Sequence, residues 1–279
     1  SGSPDVFSEE LDNDFGYTQI FKTACEMSNT ARATRYRGYE DEFQRIWNLK
    51  LREHKVDIER AMLFGQRATV GGIQYSEGIA GHIIKNGTSV VNDAALSYSS
   101  GAPYFRSSTA AELTYDRLLS DFEVVYDPAR GGGDSKLALA SLPVITFFNK
   151  LGADAFLNTS LASGTSTNVN TGATNLRYNL TEKQGSYGHS ILSVNTIHGQ
   201  MNLVKEPLFR GHASGFLCMV DLDNVAYRPL VGNGVNRDTQ IMTNVQSADE
   251  DLRKDMIMTE AGLEVSLPET HYLINLEGV

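Results

Sequence analysis

Residues 39 to 64 read Tyr-Glu-Asp-Glu-Phe-Gln-Arg-Ile-Trp-Asn-Leu-Lys-Leu-Arg-Glu-His-Lys-Val-Asp-Ile-Glu-Arg-Ala-Met-Leu-Phe. Phe43, Ile46, Trp47, Leu51, Ile58, Ala61 and Met62 recur at three- and four-residue steps, while Arg45, Arg52, Lys55, Glu59 and Arg60 fall largely elsewhere. That spacing predicts one amphipathic helix. Asp41 and Glu42 put negative charge in its first turn, where the helix dipole favours it, and Gly65 ends it. At 1.5 Å per residue it would span roughly 39 Å, far beyond the usual helix. Such a helix is a beam across a whole domain. Lys55 and Glu59, four apart, and Asp57 and Arg60, three apart, are expected to pair along it at about 0.2–0.5 kcal/mol each.

Upstream of the beam, residues 1–16 are small, polar and acidic, with Asp5, Glu9, Glu10, Asp12 and Asp14, and too little apolar surface to order alone. From Tyr17 the pattern changes to period two: Tyr17, Phe21, Thr23, Cys25 and Met27 fall on one parity, Lys22, Glu26 and Ser28 on the other. A second extended run, Thr30 to Tyr36, follows Ser28-Asn29, and Gly38 closes it. The expectation is a β-hairpin over 17–38, marginal without further strands.

Downstream, Gly71-Gly72 and Gly101-Ala102-Pro103 bracket coil with short elements. Thr109 to Glu112 matches a capping box, and Tyr115, Leu118, Leu119 and Phe122 continue it as a helix. Leu137 to Ala140 reads as a buried strand, and Ser141 with Pro143 starts a helix to about Leu157. Residues 158–189, rich in Asn, Thr, Ser and Gly, read as an exposed excursion. The rest reads as strands: Ile191–Ile197, Phe216–Asp221, Val225–Leu230, Ile241–Val245, Met256–Glu260, Leu263–Leu267 and Tyr272–Leu276.

Composition narrows the function. The 279 residues carry 24 Lys and Arg against 34 Asp and Glu, a formal charge of −10. An acidic chain without a segregated basic stretch lacks the footprint of a phosphate-gripping protein. Two distant cysteines, Cys25 and Cys218, support neither a disulfide framework nor a zinc site. The most apolar stretch, Leu137 to Phe148, is too short to span a bilayer. The six histidines are scattered, and Asp221 with Asp223 reads as a strand end before it reads as a cation site. Gly131-Gly132-Gly133-Asp134-Ser135-Lys136 has the wrong spacing for a phosphate loop. Gly211-His212-Ala213-Ser214-Gly215 misses the nucleophile elbow by one position, so Ser214 reads as part of a polar turn. No catalytic, cofactor or metal residues are assigned, and the profile is that of a building block.

The order Tyr17-Thr18-Gln19-Ile20-Phe21, then Ser28-Asn29-Thr30-Ala31, then Glu53 to Gly65 on the helix and Gly71-Gly72-Ile73, resembles the major capsid proteins of tailed bacteriophages, in the podovirus-associated branch. Arg228-Pro229-Leu230 and Glu260 to Val265, followed by Pro268 and His271, extend the similarity. The resemblance implies an α+β, HK97-like fold divided into an N-terminal arm (1–16), an extended loop (17–38), a peripheral domain with the spine helix (39–100, helix 39–64), an axial domain (101–230), and strands returning to the peripheral domain (231–279). It implies hexamers and pentamers closing an icosahedral shell around double-stranded DNA, bound without sequence specificity. The virion is the expected location, after assembly in the host cytoplasm. Expected partners are copies of the chain, a portal protein, and scaffolding and decoration proteins, with no membrane and no cofactor. The contact residues implied are Tyr17, Ile20, Phe21, Lys22, Arg35 and Arg37 on the hairpin and Trp47, Lys55, Asp57 and Glu59 on the spine. Such proteins carry a longer segment ahead of the loop, so this chain is expected to be a processed or partial form. The alternatives are an encapsulin-like nanocompartment shell and, from another class, a hydrolase using Ser214.

Overall fold

The computed structural model describes residues 15–34, 37–38, 41–86, 88–91, 104–110, 113–130, 132–148, 181–184 and 190–278. Its first half contains β1 (Gln19–Ser28), α1 (Asn29–Ala33), α2 (Glu42–Phe64), β2 (Ala68–Val70), β3 (Ile73–Tyr75), α3 (Ile79–Asn86), β4 (Thr88–Val91), β5 (Tyr104–Thr109), α4 (Tyr115–Val125) and β6 (Ser135–Ala140). A helix follows over 142–148. The second half contains β7 (Thr181–Gln184), β8 (Ser190–Asn195), β9 (Gln200–Lys205), β10 (Phe216–Val220), β11 (Val225–Pro229), β12 (Val231–Gly232), β13 (Val235–Asn236), β14 (Gln240–Met242), β15 (Leu252–Val265) and β16 (Tyr272–Glu277).

The beam is there. α2 has 23 residues, about 35 Å, with the Asp41 side chain accepting from the Gln44 amide at 3.2 Å as its N-cap. Its half-buried stripe, Phe43, Ile46, Trp47, Leu51, Ile58, Ala61 and Met62, repeats the sequence pattern, with His54 and Leu63 fully buried within it.

The expected 17–38 hairpin is not formed. β1 pairs along all of its length with β15, antiparallel from Gln19↔Ala261 to Ser28↔Leu252. The second run begins as a helix instead, α1 ending at Ala33, because the Ser28 hydroxyl accepts from the Ala31 amide at 3.3 Å and caps it; residues 35 and 36 lie outside the described residues. Period-two patterning identifies a strand but not its partner, and here the partner lies more than 200 residues away. β15 takes β11 and β14 on its other edge. It runs through Ala261 and Gly262 without a break, so the two expected strands there are one. Gly262 is required: a Cβ would lie 2.9 Å from the Tyr17 carbonyl oxygen.

Eight strands form the second sheet, in the order β4-β5-β16-β10-β6-β9-β8-β7. Alternate side chains feed two cores. Leu217 and Met219 of β10, Tyr272 and Ile274 of β16, and Ala138 and Ala140 of β6 pack under Leu118 and Phe122 of α4 and Val144 and Phe148 of the 142–148 helix. Cys218, Val220 and Leu273 point the other way, onto Leu63, Ile79 and Ile83 of α2 and α3. The result is three layers, helix–sheet–helix. Ser141 starts the 142–148 helix as expected, its hydroxyl accepting from the Val144 amide at 3.3 Å.

Other expectations shift. Thr109 belongs to β5, where it pairs with Glu277, and α4 begins after Thr114; Glu112, the other half of the expected capping box, lies outside the described residues. β14 stops short of Val245, before Asn244 turns to φ +56°. Sheet membership also crosses the expected domain limits: β16 lies inside the eight-stranded sheet, whereas β11 joins the sheet under α2.

His54 fixes the helix to that sheet. It is 1% exposed, with Nδ1 2.9 Å from the Thr23 hydroxyl of β1 and Nε2 2.9 Å from the Thr259 hydroxyl of β15. Burial depresses its pKa below the usual histidine value, with Asp57 opposing weakly. The unfolded chain therefore takes up this proton at higher pH than the folded one. The contribution to stability is complete above about pH 6.5 and is lost as pH falls below it. Replacing His54 by Ala empties a buried site and removes its bonds to the half-buried Thr23 hydroxyl and to the buried Thr259 hydroxyl, which keeps that of Thr239 at 3.0 Å, and should cost about 1–3 kcal/mol in urea unfolding at pH 8. The same titration between pH 7 and pH 5 should show a shallower loss of stability in His54→Gln than in the parent.

Candidate assembly surfaces

Where α1, α2 and β15 meet, two guanidinium groups lie over the Phe43 ring, Arg253 at 4.8 Å and Arg32 at 5.6 Å from its centre. Arg253 also grips Asp255 through bonds of 2.8–3.2 Å, and Asp255 accepts from the Asn244 amide at 3.0 Å. Burial alone would raise the Asp255 pKa, but these bonds hold it below the usual carboxylate range. The end of the beam is thereby fixed in position.

The outer face of α2 is a row of exposed charge containing Arg52, Glu53, Lys55, Asp57, Glu59 and Arg60. Asp57 and Arg60 pair at 3.7 Å and Lys50 with Glu53 at 2.7 Å, while Arg45 pairs with Glu42. The expected Lys55–Glu59 pair is not formed. With Lys on the N-terminal side of Glu, that pair has the weaker orientation against the helix dipole. These exposed pairs contribute little to folding and leave charge free for another surface.

The remaining anticipated contact residues separate. Ile20, 46% exposed, and Lys22 lie on the face of β1 turned away from α2. Phe21 points the other way and is 7% exposed, so it is a core residue rather than a surface one; the period-two parity that placed it on a strand could have shown this. Tyr17 is half-buried, edge-on to Phe15 at 5.6 Å. Trp47 shares the half-buried stripe of His54, one heptad earlier. Arg37 is exposed in a turn, and Arg35 lies outside the described residues, as do residues 1–14 and most of 158–189.

The chemistry-bearing groups are occupied structurally. Asp221 accepts from the Gly133 amide at 3.1 Å and from Lys136 Nζ at 3.2 Å, and Lys136 also donates to the Thr270 carbonyl at 2.8 Å. The glycine-rich segment thus gives an amide to a carboxylate inside the chain, and the Asp221 pair is a strand end capping the next turn. Burial pushes the Lys136 pKa down, against the pull of Asp221. Ser214 lines a groove of about 410 Å³ with Leu142, Pro143, Phe209 and Arg210. Its hydroxyl has no histidine partner among the described hydrogen bonds, and His212, beside it in the turn, is exposed. Burial pushes the Cys218 thiol up to about 12, away from reactivity. Among the described residues no three His, Cys, Asp or Glu side chains form a metal-binding group, and no helix is long and apolar enough to cross a membrane.

The SU10 major capsid protein family matches the chain over residues 7–277. The chain belongs to that family. It is a major capsid protein of a tailed phage, located in the virion shell, and its job is to assemble with copies of itself. No curated protein matches it. Among solved structures it is similar to the capsid of cyanophage A-1(L), at 11% identity and a TM-score of 0.55, covering 92% of this chain and 77% of that one. The mature capsid of bacteriophage PhiM1 matches at 12% identity and a TM-score of 0.52, covering 100% of this chain and 79% of that one. The holo-SrpI encapsulin from Synechococcus elongatus PCC 7942 matches at 12% identity and a TM-score of 0.50, covering 92% and 73%. At these identities the likeness is one of fold, and it bears out the HK97-like α+β expectation.

In this capsid protein the buried Lys136–Asp221 pair is a stability element whose halves depend on each other. Lys136→Met alone leaves a buried carboxylate uncompensated and should cost about 3–5 kcal/mol in urea unfolding. The double change Lys136→Met with Asp221→Leu should cost less than the single one.

Proposed function

We propose that α2 with the four-stranded sheet forms the peripheral part of each subunit and the eight-stranded sheet with its helices the axial part, packed as hexamers and pentamers around double-stranded DNA. The family match across 7–277 carries this reading. Between subunits, the contacts fall on the charged outer face of α2, with Lys55, Asp57 and Glu59, and on the outer face of β1, with Ile20 and Lys22. Arg35, Arg37 and the acidic arm belong to the same set. The subunit has no catalytic role. A portal protein and scaffolding and decoration proteins complete the particle. A net charge of −10 keeps the packaged phosphates weakly held.

Particle size tests the reading. Negative-stain electron microscopy with light scattering should show closed shells tens of nanometres across with fivefold and sixfold clusters; a 31 kDa species that stays monomeric would overturn it. The helix face has its own test. Lys55→Glu with Glu59→Lys should change the folding free energy by less than about 0.5 kcal/mol, yet shift the salt dependence of assembly followed by light scattering. An unchanged salt dependence would remove this face from the contact.

A further inference from the structure

We propose that the β2–β3 hairpin is a preformed prong that seats on a second copy of this chain, an inference that rests on the shell reading above. The hairpin reads Ala-Thr-Val-Gly-Gly-Ile-Gln-Tyr over residues 68–75. Its register pairs Ala68 with Tyr75, Thr69 with Gln74 and Val70 with Ile73. Because alternate residues share a face, Ala68, Val70, Ile73 and Tyr75 line one side and Thr69 and Gln74 the other. That is the pattern of a ribbon with one buried face. Here the apolar face is open: Val70 is 62% exposed, Ile73 60% and Tyr75 37%.

The ribbon is also held rigid. Gly71 and Gly72 turn it with φ of +59° and +82°, the left-handed pair that a two-residue hairpin turn demands. At its base the chain closes on itself at the end of α2. The Gly78 amide donates to the Gly65 carbonyl at 2.9 Å, and a Cβ on Gly65 would lie 2.5 Å from the Ser76 carbonyl oxygen. The Ser76 amide donates to the Gln19 side chain at 3.2 Å. An isolated two-stranded ribbon is marginal in water, so a rigid base under an uncovered apolar face is a preorganised contact.

Charge selects the occupant. Residues 68–75 contain no ionisable group except the Tyr75 phenol, in a chain of net charge −10. A phosphate backbone finds no cation on this ribbon, and two acidic copies can approach through it without repulsion. The surface is also continuous with the proposed contact face of α2, because an open groove of about 360 Å³ runs from Tyr75 past Phe64 to Asp57 and Arg60.

The test uses the full chain under shell-forming conditions. Val70→Asp with Ile73→Asp should leave the thermal unfolding midpoint within a few degrees of the parent and raise the concentration needed for shell assembly at least tenfold. In parallel, a benzophenone-bearing amino acid at position 73, irradiated in assembled shells, should give covalent dimers of the chain with the linked peptide on the second copy. Assembly of the Asp variant at the parent concentration overturns the proposal with the shell reading intact. So does absence of cross-linked dimers in well-formed shells, or a cross-link only to a different protein. If the Asp variant does not fold, the cross-link alone decides. Failure of the parent to form shells removes both readings.

Discussion

The antiparallel pairing of β1 with β15 is the constraint on which the half of the subunit around α2 depends. It joins residue 19 to residue 261, sets the sheet on which α2 lies, and places Thr23 and Thr259 where one imidazole can reach both. The helix is thus located by a specific polar contact inside an otherwise apolar stripe. Apolar side chains alone tolerate sliding along a sheet; two hydroxyls at 2.9 Å from one ring do not.

Where periodicity was strong, the sequence was legible. α2 and its stripe, β6, β10, β11 and β16 follow from local pattern alone, since each buries one face or one stripe. What could not be read was pairing. Nothing local in Gln19–Ser28 says that its partner begins at residue 252, and a serine that caps a short helix looks like a turn residue in an extended run. Thr109 shows a related limit, since nothing in its capping pattern says that its backbone closes a parallel strand pair with Glu277. The surface residues were legible only as exposed charge: Lys55, Asp57 and Glu59 are outward as read, whereas Phe21 betrayed its burial by sharing parity with Cys25.

The electrostatics divide by depth. Lys136 with Asp221, both buried, and the half-exposed Arg253 with the buried Asp255 are each held by several bonds and act as pins between elements. Exposed ones on α2 pair singly along the helix. The several-bonded groups hold elements together, whereas the singly paired ones contribute little to folding.

The position of β16 carries a consequence for a broken chain. The strand lies between β5 and β10 inside the eight-stranded sheet, and supplies Tyr272 and Ile274 to one core and Leu273 to the other. A chain cut ahead of residue 272 has a gap through that sheet and two incomplete cores. Such a product cannot present the surfaces of a finished subunit. Selection of intact chains for the shell is built into the order of the strands.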